Sequence, residues 1–175
     1  FSKIIDYNNE KIIMENLDGV IFSKWLTYDF NFTNYLSILL QISLSLIIAQ
    51  EKYGFVHYDL YPWNIIIKKL DKRRLVSYKI NNKEIRFYTM VIPIIIDYGR
   101  SHIIYKKIHY GTVNLFKFSS IQDIISILVS SINIIIIKYN LNNTEKSNIL
   151  KLSNFISNTK YTNYTKFNSI NYLKK

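Results

Sequence analysis

The chain has 175 residues and a net charge of +11, 49% of its residues are hydrophobic, and it contains no cysteine. This length fits one domain or part of one, and the hydrophobic fraction excludes a disordered chain. The lack of cysteine excludes a disulfide framework and a thiolate metal site. It also fits a reducing compartment, so we expect an intracellular protein.

The excess of Lys and Arg fits an acidic partner, such as a nucleotide, a nucleic acid or an acidic protein surface. The chain is also heavy in Ile, Asn, Lys and Tyr, and an AT-rich genome would explain the charge equally well. Most of the lysines are scattered along the chain. The densest basic cluster, which we interpret as the solvated foot of a hairpin, is Lys68, Lys69, Lys72, Arg73 and Arg74.

A short strand and a short helix are predicted before residue 30. Residues 11–14 form an apolar run typical of a strand, and the polar stretch after it ends at Gly19, a turn-forming residue. Residues 21–28 are predicted to form a short helix that starts at Ser23.

The first long helix is predicted over residues 34–52, with Thr33 as its N-cap and Gly54 as the residue that ends it. The apolar runs at 36–49 and 124–137 fall short of the length that spans a bilayer, so we expect two buried helices and no membrane partner. Apolar residues recur in the first helix at helical spacing, and the expected core positions are Leu36, Leu39, Leu40, Leu44, Ile47 and Ile48.

Polar side chains interrupt two apolar stretches in the middle of the chain. Residues 54–67, GFVHYDLYPWNIII, place His57, Asp59 and Asn64 between apolar segments. This pattern predicts a loop between two buried elements, and catalytic groups are often found on loops held by buried scaffolds. In the second stretch, VIPIIIDYGRSH, a buried-strand pattern ends at Asp97, and Gly99 lies two residues further on.

Together the two stretches resemble the catalytic loop and the metal-binding motif of eukaryotic-type protein kinases, H-R-D-L-x-x-x-N followed by D-F-G. Here these motifs read HYDLYPWN and DYG. The resemblance implies an α+β fold, the C-terminal lobe of a protein kinase, mainly helical with short β-hairpins. It further implies that Asp59 orients the attacking hydroxyl and accepts its proton. Asn64 and Asp97 would then bind Mg²⁺ at the phosphates of ATP.

The same resemblance divides the chain. Residues 1–19 would be the end of the small lobe and the hinge, residues 20–157 the large lobe, and residues 158–175 a polar tail. A hairpin is predicted as an insert at about 69–90, with Asn81 and Asn82 in its turn. A hairpin in this position resembles the arrangement in haspin-type kinases, and the sequence IIDYGRSH is similar to that of kinase-like proteins of large DNA viruses. A viral protein would act in the host cytoplasm or the virion.

The ATP site of this resemblance involves residues before and after the catalytic loop. Met14 would be the gatekeeper, the backbone of Glu15 and Leu17 would face the adenine edge, and Ile66 would lie under the adenine. No glycine-rich phosphate loop or strand lysine precedes residue 11. Either these parts lie upstream in a longer protein or the chain does not bind ATP in the usual way.

Two tyrosines depart from the kinase pattern. Tyr58 replaces the arginine that commonly reads activation-loop phosphorylation, so we expect no such switch. Tyr61 replaces the lysine that neutralises the transferring phosphoryl group. Losing one such contact typically costs about two to three orders of magnitude in rate. A slow enzyme and an inactive one are therefore both consistent with the sequence.

The C-terminal half contains the predicted activation segment, residues 100–117, which lacks the A-P-E motif. His102 and His109 have no carboxylate or cysteine at metal-binding spacing, so we expect structural or exposed roles for both. Asp123 matches the kinase Asp that hydrogen-bonds the catalytic-loop backbone, and its spacing from Ser120 also fits a capping box. A final amphipathic helix is predicted with Thr144 as its N-cap.

Four functions stay open at this point. The first is an ATP- and Mg²⁺-dependent kinase that acts on protein Ser/Thr hydroxyls. The second is a small-molecule kinase, because the form H-x-D-x-x-P-x-N, with Pro62, also looks like aminoglycoside and choline kinase loops. The third is a pseudokinase that binds without turnover. The fourth is a nucleic-acid binder, which rests on charge alone.

Overall fold

The computed structural model describes residues 1–8, 10–111 and 121–157. In these residues the chain has a mixed α/β fold of four helices and three small antiparallel sheets. The strands are β1 Ile4–Tyr7, β2 Ile12–Met14, β3 Val20–Ile21, β4 Ile65–Ile80, β5 Lys83–Ile95, β6 His102–Tyr105 and β7 Ile108–Gly111. The helices are α1 Phe22–Tyr28, α2 Phe32–Tyr53, α3 Gln122–Lys138 and α4 Asn143–Ser157. The predicted cap at Ser120, residues 112–117 of the predicted activation segment and the polar tail lie outside the described residues.

The longest feature is the antiparallel hairpin of β4 and β5, which pairs from Ile65 and Ile95 at one end to Ile80 and Lys83 at the other. The turn prediction is confirmed. Asn81 and Asn82 both have positive φ, 47° and 62°, the conformation that a two-residue hairpin turn requires and that asparagine tolerates. The strands extend beyond the predicted bounds of about 69–90 at both ends, so the predicted insert forms the outer part of a longer hairpin. That this part is an insert stays a prediction.

The core lies between α1, α2 and α3 and the ends of β4 and β5 that are remote from the turn. Burial of each large apolar side chain there stabilises the fold by about 1.5–3 kcal/mol. Tyr35 on α2 is fully buried and its hydroxyl lies 2.8 Å from the Ser131 hydroxyl on α3, so the two helices share a polar contact inside the core. The largest fully buried side chains include Trp25, Tyr35, Phe22, Leu26, Ile38, Ile42 and Leu46.

Helix α2 differs from its prediction in which residues it buries. Leu36, Leu40 and Ile47 were expected in the core, but they are 41%, 44% and 38% exposed. The helix is apolar nearly all round, so periodicity alone does not identify its inward face. At 22 residues α2 is also long and apolar enough to cross a membrane by length and composition, whereas the sequence expectation was a run too short to do so. In this fold its inward face packs into the protein core.

The predicted helix starts are wrong by one or two residues. The N-cap of α2 is Asn31, whose side-chain oxygen accepts the Asn34 N–H at 3.0 Å, and not Thr33. Helix α1 starts at Phe22, one residue before the predicted Ser23. At α4, Asn142 and Glu145 satisfy each other's backbone N–H groups, at 2.9 and 3.0 Å, in place of a cap at Thr144. Asn side chains reach these backbone donors at least as well as Thr does, which explains the errors at α2 and α4.

Gly54 ends α2 as predicted, with a left-handed φ of 54°, and its N–H donates to the Gln50 carbonyl at 2.8 Å. A Cβ atom at this position would lie 2.9 Å from the end of the Ile104 side chain. We therefore expect Gly54→Ala to lower the free energy of unfolding by about 1–2 kcal/mol, mainly through left-handed strain. Gly54→Asn should lose less, because asparagine tolerates this conformation. Equal losses in chemical denaturation of the two variants would contradict this explanation.

Candidate active site

The loop that contains Asp59 is held in place by Asp123, the second residue of α3. The Asp123 carboxylate is 1% exposed and accepts two backbone hydrogen bonds, from His57 N–H at 2.7 Å and from Tyr58 N–H at 3.0 Å. Burial raises the pKa of Asp123, and the two hydrogen bonds oppose this shift. One carboxylate thus satisfies two backbone donors that would otherwise be unpaired inside the protein.

His57 connects this loop to the second motif. Its side chain is fully buried, and its Nδ1 atom accepts the Asp59 N–H at 3.3 Å. Nε2 lies 3.0 Å from the carbonyl oxygen of Ile96, the residue before Asp97. Because Nδ1 accepts, Nε2 carries the proton and donates it to that carbonyl. The sequence pattern did not predict this connection, since it joins segments 39 residues apart.

Asn64 and Asp59 are in direct contact. Asn64 lies at the end of a 3-10 turn, Pro62–Asn64, and is 5% exposed. Its amide nitrogen donates to the Asp59 carbonyl at 2.8 Å and to the Asp59 carboxylate at 3.2 Å. The amide nitrogen is therefore committed to Asp59, and the amide oxygen is the atom of Asn64 that can ligate a cation.

Asp97 is brought beside Asn64 by the β4–β5 ladder. Ile96 N–H donates to the Asn64 carbonyl at 3.0 Å, one step beyond the Ile65–Ile95 pair, and Asp97 is the next residue. Asp97 is exposed and has a φ of 60°. Left-handed backbone in a residue other than glycine costs about 1 kcal/mol or more and is concentrated at functional sites. The backbone thus places Asp59, Asn64 and Asp97 in adjoining segments at one edge of the hairpin.

The residues predicted to contact adenine lie before β3 and in β4. Glu15 N–H donates to the Lys3 carbonyl at 3.0 Å, so this donor is used inside the β1–β2 hairpin, and Leu17 is half-buried. Ile66 pairs with Ile21 in β3 and is also half-buried. A Cβ on Gly19 would lie only 2.6 Å from the Ile66 side chain, so the segment after Glu15 crosses close to Ile66. Adenine contacts of Glu15, Leu17 and Ile66 stay predictions.

An aromatic pair lies between Asp59 and Asn64. The rings of Tyr61 and Trp63 are stacked, with centroids 4.6 Å apart and an interplanar angle of 11°. Trp63 is 51% exposed. The buried proline between them holds the two side chains on one side of the turn. The sequence analysis missed this stack, although the pattern of two aromatic residues flanking a proline was a usable signal.

The β6–β7 hairpin is joined to the loop by an isolated bridge. Val56 and His102 exchange two backbone hydrogen bonds, of 3.0 and 2.8 Å. The His102 ring is 2% exposed, and its Nε2 atom lies 2.9 Å from Nδ1 of His109. This packing agrees with the structural role expected for His102. His109 is exposed, which agrees with the exposed role that the sequence analysis gave as the alternative.

The donor set at this edge fits a magnesium ion bound together with phosphate groups. The described part of the chain contains no cluster of three or more His, Cys, Asp or Glu side chains that could bind a metal ion. Mg²⁺ commonly takes one or two protein oxygens and completes its shell with water and substrate phosphates. An exposed carboxylate at Asp97 and the amide oxygen of Asn64 are ligands of this kind.

Comparison with known proteins finds viral relatives, and no protein-family model matches the chain. The chain is 32% identical over 136 residues to uncharacterized protein 035R of invertebrate iridescent virus 3, covering 73% of this chain and 12% of that protein. It is 40% identical over 114 residues to uncharacterized protein 179R of invertebrate iridescent virus 6, covering 57% and 10%. A third relative, probable kinase 098L of invertebrate iridescent virus 3, is 32% identical over 109 residues, covering 62% and 21%. The chain spans about a tenth of the length of the first two relatives.

Asp123→Ala should destabilise the protein by about 2–4 kcal/mol, because it leaves two buried N–H groups without an acceptor. Hydrogen exchange should show lost protection at the His57 and Tyr58 amides, with the middle of α2 still protected. Asp29→Ala removes an exposed carboxylate that pairs with Lys69, so it is the control and should cost less than about 1 kcal/mol. Retained protection at both loop amides would contradict the role given to Asp123.

The contact between His102 and His109 should make the β6–β7 hairpin sensitive to acid. Burial, followed by the charge of His109, lowers the pKa of His102, so the folded state favours the neutral ring. The resulting stabilisation is present above the unfolded pKa of about 6.5 and is lost as the pH falls below it. The protection factors of the β6 and β7 amides, which correct for the pH dependence of intrinsic exchange, should therefore fall at low pH, and His102→Asn should flatten this dependence. An unchanged pH profile in the variant would assign the effect to another group.

Proposed function

We propose that the chain is the large-lobe part of a protein-kinase-like domain that transfers the γ-phosphate of ATP to a hydroxyl group. The observation that carries this proposal is the set of hydrogen bonds around Asn64. Its side-chain amide donates to Asp59, and its backbone carbonyl accepts the N–H of Ile96, the residue before Asp97. Two carboxylates and one amide at one edge of a buried scaffold suit a reaction that depends on positioning and charge neutralisation.

In this proposal Asp59 orients the substrate hydroxyl and accepts its proton. The Asn64 amide holds the Asp59 carboxylate through one oxygen, which leaves the other oxygen for the substrate. Asn64 and Asp97 hold Mg²⁺, which neutralises charge on the phosphates of ATP. Glu15, Leu17 and Ile66 bind the adenine. The buried Asp123 and His57 keep the loop in position without taking part in the reaction.

The relatives support the proposal in one respect. One similar protein of an iridescent virus is named a probable kinase. With two further iridescent-virus relatives, this favours a viral protein that acts inside the host cell. That its substrates are protein Ser/Thr hydroxyls is part of our proposal and does not come from the relatives.

A second candidate is a pseudokinase, and the Tyr61–Trp63 stack favours it. Tyr61 occupies the position of the phosphate-neutralising lysine and is packed on Trp63, so the loop supplies no positive charge there. The two candidates agree on nucleotide binding and differ on phosphoryl transfer, so one set of variants separates them.

The test measures Mg²⁺-dependent thermal stabilisation by ATP together with transfer of labelled phosphate to mixed histones. Asp97→Asn should abolish the Mg²⁺-dependent stabilisation. Asp59→Asn should keep the stabilisation and lower the transfer rate by roughly a hundredfold to ten-thousandfold. Asp71→Asn, an exposed carboxylate in the β4–β5 hairpin, is the matched control and should change neither readout.

Three outcomes would count against the kinase proposal. Binding of ATP without transfer to histones, choline or an aminoglycoside would favour the pseudokinase. Transfer to choline or the aminoglycoside alone would change the substrate class to small molecules. Stabilisation that is absent, or that survives in Asp97→Asn, would overturn the nucleotide site itself.

A further inference from the structure

Residues 68–88 of the β4–β5 hairpin, here called the basic ribbon, carry a disproportionate share of the positive charge. They contain eight basic and two acidic residues, a net charge of +6, compared with +11 for the whole chain. The basic residues are Lys68, Lys69, Lys72, Arg73, Arg74, Lys79, Lys83 and Arg86. All of them are exposed.

A β-bulge concentrates part of this charge on the surface. The register shifts between Lys69, which pairs with Val91, and Arg74, which pairs with Thr89. Four residues of β4 therefore oppose a single residue of β5. Bulges twist a strand and redirect its side chains. Residues 71–75 are all exposed, whereas a regular strand with one face on the protein would bury alternate residues.

Little of this charge is neutralised within the protein. Lys69 pairs with Asp29 at 3.3 Å, and Arg86 pairs with Glu84. The Arg73 guanidinium lies over the Tyr88 ring, 5.5 Å from its centroid, which keeps its charge available. The other five basic side chains form no salt bridge in the described ranges, and of these Lys79 has Glu84 opposite it in the ladder. Their positive potential is therefore directed into solvent.

The ribbon is also fixed in position, because the hairpin contacts α2 just beyond residue 88 and again at Tyr78 within the ribbon. The hydroxyls of Ser37 and Thr89 lie 3.0 Å apart, and the buried Gln41 amide donates to the Val91 carbonyl at 2.9 Å. Nearer the turn, the Tyr78 side chain forms a hydrogen bond with the Ser45 side chain, and its ring stacks on that of Phe87. Binding a partner would thus require little ordering of the ribbon.

We propose that the basic ribbon binds duplex DNA through the phosphate backbone, with the Asn81–Asn82 turn in the major groove. A two-stranded β-ribbon fits the major groove of B-DNA, which is about 12 Å wide. The exposed turn asparagines have both donors and acceptors for base edges. In duplex RNA the major groove is too narrow for side chains to read, so the shape of the ribbon favours DNA.

This surface is separate from the proposed catalytic edge. The strands meet Asn64 and Asp97 at one end, and the basic ribbon is the part that extends away from them towards the turn. DNA binding therefore does not depend on the proposed kinase activity, and either proposal can fail while the other stands.

The test is a fluorescence-anisotropy titration of the full chain with a short mixed-sequence DNA duplex over a series of salt concentrations. The test variant is Lys72→Gln/Arg74→Gln/Lys79→Gln, which leaves the Arg73–Tyr88 contact intact. Losing three phosphate contacts should weaken binding by roughly tenfold to several hundredfold and reduce the slope of log affinity against log salt by up to about 2.7. The control, Lys11→Gln/Lys138→Gln/Lys151→Gln, removes the same charge from exposed sites outside the ribbon and should keep the slope.

A gain-of-binding variant guards against misfolding as an explanation. Asp71→Lys reverses an exposed charge inside the basic cluster, so it should bind DNA more tightly and steepen the salt slope by up to about 0.9. Equal losses in the test and control variants would overturn the ribbon as the site. Equal binding of duplex RNA or of polyglutamate, with the same dependence on the variants, would overturn DNA as the partner.

Discussion

The position of the polar residues at the end of the β4–β5 hairpin depends on one hydrogen bond, from Ile96 N–H to the backbone carbonyl of Asn64 at 3.0 Å. It extends the β4–β5 ladder by one step beyond the paired strands, to the point where both strands give way to polar residues. An antiparallel ladder has a fixed register, so a slip of one residue would turn each side chain to the opposite face. The apolar pairs Ile65–Ile95 and Ile67–Pro93 specify that register. They therefore also fix the positions of Asn64 and Asp97, here called the polar edge.

Three polar side chains around this edge are almost completely buried. Asp123, His57 and Asn64 are at most 5% exposed, and each is hydrogen-bonded to backbone. In a low-dielectric interior such bonds are strong, and an unpaired group there is costly, so the three side chains hold one arrangement. That stability supports the two strained residues, Tyr58 and Asp97, both with φ near 60°. Strain of this kind persists only where the surroundings enforce it.

The β4–β5 hairpin serves two surfaces of different chemistry. At one end its strands are apolar and contact α2, with β4 in the centre of the sheet and β5 at its edge, and they position polar residues where they end. Towards the turn the same strands become an exposed ribbon with a net charge of +6. Both parts belong to one hairpin, which is paired on either side of the bulge, so a partner bound to the ribbon would have a defined position relative to Asn64 and Asp97. An acidic partner suits the ribbon because five of its basic side chains form no salt bridge among the described residues.

Local patterns in the sequence were sufficient for several elements. The Asn81–Asn82 turn, the glycine end of α2 and the polar break at residues 57–64 all depend on near neighbours, so they could be predicted without a structure. The caps of α2 and α4 were each missed by two residues, because neighbouring Asn and Thr side chains compete for the same backbone donors. The inward face of α2 could not be predicted, since Leu36 and Leu40 are as apolar as the residues that are buried.

The sequence by itself determined which chemical groups are present at the polar edge, because motif spacing is a property of adjacent residues. Only the tertiary structure decided that Asp97 lies beside Asn64, that His57 reaches the Ile96 carbonyl and that Asp123 fastens the loop. These contacts join residues 32 to 66 positions apart. Contacts at such separations depend on strand register and helix packing, which are set by the shape of the whole core and not by any local run of residues.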